Sequence, residues 1–108
     1  MFKTVLTDKF KEELIIAYDY LLETSKSTVI AKRYVQKVYE KILLIEKMPY
    51  AWALVKDDFL SSIRYRSTLV ENYIIFYLID EDQKIIYIER FLSAYCDYFK
   101  IIKDDLEE

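Results

Sequence analysis

The chain contains no histidine and no glycine, and only one proline and one cysteine in its 108 residues. Each absence removes a class of chemistry. Without histidine there is no Ser-His-Asp or Cys-His nucleophile and no imidazole metal site. Without glycine there is no P-loop to cradle phosphate and no dinucleotide fingerprint. Cys96 is alone, so no intrachain disulfide can form, and no neighbour argues for a lowered thiol pKa; it reads as an inert small residue. No apolar run approaches the ~18 residues that a membrane span requires. The N-terminal MFKTVLTDKF lacks the apolar core of a signal peptide, since Thr4, Thr7 and Asp8 interrupt it. The expectation is a cytoplasmic protein with no membrane association, no metal and no cofactor. Carboxylates are the remaining candidate metal ligands, and Asp80-Glu81-Asp82 reads as a solvated strand turn rather than a cation site.

What is present describes one globular domain, residues 1–108. Hydrophobic residues make up 54% and charged residues 32%, which excludes disorder and allows a real core. The net charge of −3 argues against a general nucleic-acid binder, which normally presents a basic face. The acidity is uneven, however. The last ten residues hold four acidic and two basic groups, while residues 1–62 hold ten Lys/Arg against nine Asp/Glu, so a local basic patch can survive.

Phe2, Val5 and Leu6 mark a short first strand. Thr7 or Asp8 supplies an N-cap. Phe10, Leu14, Ala17, Tyr18, Leu21 and Leu22 then recur at helical spacing. Thr24-Ser25-Lys26-Ser27 breaks the helix and caps a second, whose apolar stripe is Ala31, Tyr34, Val35, Val38, Ile42 and Ile45. That helix ends at Lys47 or Met48, because Pro49 disfavours a helical residue before it. The short link implies an antiparallel helical hairpin. Residues 49–62 show no period; Trp52 and Phe59 are expected to anchor this loop on the core rather than to stack bases. Ile63–Leu69 alternates as a strand, with Arg64 and Arg66 sharing a side. Glu71-Asn72 reads as a two-residue turn, with Asn72 taking the left-handed conformation. Two strand-length apolar runs follow, Asn72–Ile79 and Ile85–Leu92, and Tyr95–Lys103 restarts helical spacing; residues 104–108 are expected to fray.

The resulting order is β-α-α-β-β-β-α, an α+β fold. An antiparallel four-stranded sheet carries the helical hairpin on one face and a short C-terminal helix. The hairpin cannot cover both faces, so the other is expected to stay partly open and to hold a site. Arg90 interrupts an apolar strand, and a charge there needs a partner or a function. Alternation places it with Ile86 and Ile88. If that side coincides with the side carrying Arg64 and Arg66, three guanidiniums surround one shallow cleft, with Tyr73, Tyr77 and Tyr98 as neighbours. Each residue also has a plainer role open to it: Arg90 paired to a carboxylate such as Asp97, Arg64 and Arg66 solvated, Tyr98 packed between helix and sheet.

The helical hairpin followed by MPYAW, an Arg-bearing strand, NYIIFYLID, and then IIYIERFLSAYCDYFKII resembles the RelE/ParE superfamily of bacterial type II toxin–antitoxin toxins across nearly the whole chain. Arg90 matches the family's strand arginine, and Asp97-Tyr98 its Asp-Tyr pair. Ser93-Ala94 stands where the family often has His-Gly, and Tyr95-Cys96 where it often has two basic residues. The resemblance implies a cognate antitoxin as partner, seated in a hydrophobic groove. It also implies one of two activities. Ribonuclease members cleave ribosome-bound mRNA by attack of a ribose 2′-oxygen on the adjacent phosphate. In that reading Arg66 and Arg90 clamp the phosphate, Tyr98 orients the nucleotide or assists proton transfer, and Arg64, Lys56, Tyr73 and Tyr77 line the substrate site. ParE-like members instead trap DNA gyrase and need no catalytic set. A third alternative is a decayed toxin that only binds its antitoxin. The ribosome-dependent mRNA endonuclease is the favoured expectation at this point.

Overall fold

The computed structural model describes residues 1–107. Thr7 opens the first helix: its hydroxyl accepts the Phe10 N–H at 3.1 Å. Helix α1 (Asp8–Ser25) buries Phe10, Leu14 and Ala17. It closes on Lys26, which takes a left-handed φ of 56° and donates its N–H to the Leu22 carbonyl at 2.9 Å. Ser27 caps helix α2 (Thr28–Lys47) by accepting the Ile30 N–H. Two linking residues thus produce the antiparallel hairpin. Helix α2 buries Ala31, Val38, Ile42 and Ile45 on the face its spacing foretold.

Strands β1 (Lys3–Leu6), β2 (Arg66–Val70), β3 (Tyr73–Asp80) and β4 (Ile85–Ser93) form one sheet in the order β1-β4-β3-β2. The last three form an antiparallel meander, whereas β1 runs parallel to β4. The sheet is therefore mixed rather than purely antiparallel. The reason is connectivity: the hairpin is a crossover that returns the chain to the same edge direction. The open side of β1 is blunted by Glu46, whose carboxylate accepts both the N–H and the hydroxyl of Thr4 at 3.1 and 3.0 Å. Beyond the end of β1, Thr7 and then Glu13 continue its role. Thr7 donates its N–H to the Ile88 carbonyl, and Glu13 Oε1 accepts the Phe91 N–H at 2.9 Å.

Several expectations are revised. The second strand starts at Arg66, not Ile63, because Arg64 sits in a turn with φ of 69°. Residues in the aperiodic loop form a short helix α3 (Asp58–Ser62), capped by Asp57 accepting the Leu60 N–H. Its buried anchor is Leu60; Phe59 points outward, while Trp52 does pack against the core. In the 71–72 turn it is Glu71, not Asn72, that takes the left-handed conformation. Helix α4 (Tyr98–Leu106) continues past residue 104, where the tail was expected to fray; residue 108 lies outside the described residues.

The sheet separates two apolar clusters. The hairpin packs on a side formed by Ile75, Tyr77, Ile86, Ile88 and Phe91, with Phe10 set edge-on to Phe91. The opposite side is not open. Ile74 and Phe76 lie under Val55, Leu60, Tyr65 and Ile102, with Tyr98 and Phe99 against them. The loop after α2, α3 and α4 together form this second cover.

Candidate functional site

A register shift in the β3–β4 pair decides where Arg90 points. Tyr77 pairs with Ile88 but Phe76 pairs with Arg90, so Glu89 is an extra residue in β4 and forms a β-bulge. The bulge resets the alternation. Arg90 leaves the side of Ile86 and Ile88 and joins that of Phe76 and Leu92, beneath α4. Arg66 pairs with Tyr77 and so lies on the hairpin side. The two arginines expected to share one phosphate occupy opposite faces of the sheet.

Arg90 is also fully engaged. It is only 5% exposed. Its Nε and Nη2 donate to the Glu13 carboxylate at 3.0 and 2.7 Å, and its Nη1 reaches Asp105 Oδ2 at 2.9 Å. Burial opposes its charge, but the hydrogen bonds and charges of Glu13 and Asp105 together outweigh burial, and the guanidinium is held above its already high pKa. One cation is thus clamped between α1 and α4 by two carboxylates, and no buried side-chain polar atom among the described residues is left without a partner. The plainer reading of Arg90 as a paired residue is what the geometry displays, with Glu13 and Asp105 as partners instead of Asp97.

The other candidates are dispersed. Arg66 donates to the Trp52 carbonyl at 2.7 Å and lies over the Tyr50 ring at 5.1 Å, at the lower end of the hairpin side. Arg64 is exposed in its turn, beside Leu78 and the Asp80–Asp82 segment. Tyr77 is wholly buried, and its hydroxyl donates to the Pro49 carbonyl at 2.7 Å; burial pushes its pKa up to about 12. Tyr73 stacks on Phe91 with centroids 4.9 Å apart and borders a different cavity. Two pairs of candidates are brought together: Arg66 and Tyr77 are cross-strand partners on the hairpin side, and Lys56 and Tyr98 line a depression of about 310 Å³ with Ile74, Phe76 and Phe99. Tyr98 packs on Phe76, the cross-strand neighbour of Arg90, so Arg90 and Tyr98 share a face with an aromatic ring between them.

Two groups that the sequence did not single out flank Arg90. Glu89, in the bulge, is half-buried, and burial raises its pKa; the Tyr65 hydroxyl lies 3.4 Å from its Oε1 and partly offsets that rise. Tyr65 is itself pushed up by burial first and the Glu89 charge second. Glu13 was hidden among outward-facing helix acids. The one available signal was its spacing: three residues after Phe10 and one before Leu14, at the margin of the buried stripe.

A family model described as "ParE toxin of type II toxin-antitoxin system, parDE" matches residues 4–98, nearly the whole fold from β1 to the start of α4. The chain belongs to the ParE toxin family. No curated protein matches it. As a toxin of a type II toxin–antitoxin system, this ParE-family chain has an antitoxin for its partner. No helix among the described residues is long and apolar enough to cross a membrane. One apolar recess lies on the hairpin side, above the β2–β3 turn. It is a cavity of about 390 Å³ floored by Ala17, Leu21, Ile30, Tyr34 and Tyr73 and rimmed by Arg33 and the Lys37–Glu71 ion pair.

Proposed function

We propose that this toxin acts by seizing DNA gyrase and not by cutting mRNA. The observation that carries the reading is the state of Arg90. Cleaving a phosphodiester through the ribose 2′-oxygen requires unengaged cations aimed at one phosphate, together with a base and an acid. Here the strand arginine is neutralised by Glu13 and Asp105, and Arg66 faces the other way. The depression that holds Tyr98 brings a single cation, Lys56, and the chain has no histidine to move protons. A toxin that works by binding needs none of these groups. The ribonuclease reading would require a phosphate to displace Asp105 from Arg90, with Glu13 still holding the other side of the guanidinium.

The 390 Å³ recess is the proposed seat of the antitoxin. An apolar floor with Arg33 on its rim, beside the Lys37–Glu71 pair, suits an amphipathic segment that folds as it binds and turns an acidic group toward Arg33.

Induction in cells tests the function. Gyrase poisoning predicts a DNA-damage response while cellular mRNA stays intact by primer extension. Arrest of translation with cuts inside ribosomal A-site codons, ahead of any DNA damage, would restore the ribonuclease reading. Neither effect, with antitoxin binding retained, would identify a decayed toxin.

A further inference from the structure

We propose that the outer face of the α1–α2 hairpin is a two-fold contact with a second copy of this chain. This goes beyond the gyrase reading and does not depend on it.

The hairpin's inner face is consumed by the sheet, and the recess above the β2–β3 turn opens to one side of it. Its outer face carries a separate shallow groove between the helices, lined by Ile15, Tyr18, Val35 and Tyr39 with Lys32 at one end. Apolar groups continue along it: Ile15 is 60% exposed, Leu43 58% and Tyr39 45%. Scattered exposed apolar residues are ordinary, but these sit on two adjacent helices at spacings of three and four, which aligns them into one stripe.

The charges select the occupant. Glu13 is taken by Arg90, Arg33 and Lys37 belong to the other recess, and Lys41 lies over Trp52, so the charges left beside this groove are Lys32 at its end and the exposed Asp19 next to Tyr18. A two-fold axis running along the groove lays each α1 on the α2 of the other copy, antiparallel, so every contact occurs twice in an isologous interface. A foreign helix with charge of one sign would satisfy only one of these two groups, whereas a second copy supplies both. Tyr18 and Lys32 flank the groove at one height, so the same axis brings Asp19 onto Lys32 of the second copy. Among the described residues neither Asp19 nor Lys32 makes an ion pair within the chain. Helices of 18 and 20 residues are about 27 and 30 Å long and each about 10 Å across, so the paired face presents roughly 550 Å² in projection. That approaches the ~800 Å² of accessible surface per partner typical of stable contacts.

Sedimentation of the full-length toxin over a concentration series tests this. The wild type is expected to associate to a dimer. Ile15→Glu with Tyr39→Glu should shift it to monomer with an unchanged circular dichroism spectrum. Lys32→Asp should weaken the dimer at least tenfold, and adding Asp19→Lys should restore it, a rescue that loss of fold cannot mimic. A wild type that stays monomeric at every concentration would overturn the proposal, as would a dimer indifferent to Ile15→Glu with Tyr39→Glu. A monomeric wild type whose antitoxin affinity falls with Tyr39→Glu would assign the groove to the antitoxin instead.

Discussion

Arg90 carries both a lesson and a prediction. A charge in an apolar strand demands a partner, and that demand was legible in IIYIERF. The partners were not. Glu13 lies 77 positions away, and Asp105 sits in a stretch that reads as a solvated tail. The bulge at Glu89 was equally hidden, because an added residue leaves no mark in hydrophobic order. Removing the guanidinium strands a nearly buried carboxylate and takes the tie off α4. Arg90→Ala is expected to lower unfolding free energy by about 3 kcal/mol, measured by urea denaturation. A variant with wild-type stability would show the clamp to be dispensable. Loss of toxicity in this variant would therefore not by itself argue for catalysis.

Glu89 makes the companion case. Its folded pKa is raised, chiefly by burial. A raised carboxylate binds more protons folded than unfolded, so its charge costs stability as pH climbs from the unfolded value of about 4.3 through the folded one. Glu89→Gln should accordingly raise the melting temperature at neutral pH, and the gain should vanish below about pH 4. A gain that persists at acid pH would point to packing instead of charge.

The elements were read unequally. Both long helices followed from apolar spacing, and their caps were narrowed to Thr7 or Asp8 and to the polar break at residues 24–27, because local periodicity and capping chemistry need no knowledge of the rest of the chain. The β2–β3 turn was placed correctly too, but its left-handed residue is Glu71, since Asn72 already serves as the first partner of Ala94 through its carbonyl. Helix α4 was underestimated. Its acidic end looked like a tail, yet Asp105 ties it to β4, and Lys103 ties it to Asp57, whose carboxyl is held below the usual range first by the Lys103 hydrogen bond and then by the Leu60 N–H. Ile102 is the buried pin at its centre. Ile102→Ala should cost about 2–4 kcal/mol and should raise amide hydrogen exchange across α4 and the Tyr98–Phe76 contact more than across the hairpin. Uniform loss of protection would mean that α4 is integral to the global unfolding unit and not a separate cover.

The α+β architecture with its helical hairpin and the toxin family were both legible in the sequence. The parallel β1 edge, the covered second face and the scattering of the arginines were not, because these depend on register and connectivity between distant segments. That scattering is the ground on which the gyrase reading is proposed. The hairpin side carries two apolar concavities, the recess above the β2–β3 turn and the outer groove. The α4 side offers a closed cover over a neutralised arginine. A molecule built in this way is suited to protein contact. The decisive assay mixes the purified full-length toxin with gyrase, ATP and relaxed plasmid, following supercoiling and double-strand cleavage against toxin concentration. The gyrase reading predicts dose-dependent loss of supercoiling with accumulating cleaved complexes, abolished by prior addition of antitoxin. Unimpaired supercoiling at toxin levels that arrest a purified translation reaction would reverse the conclusion.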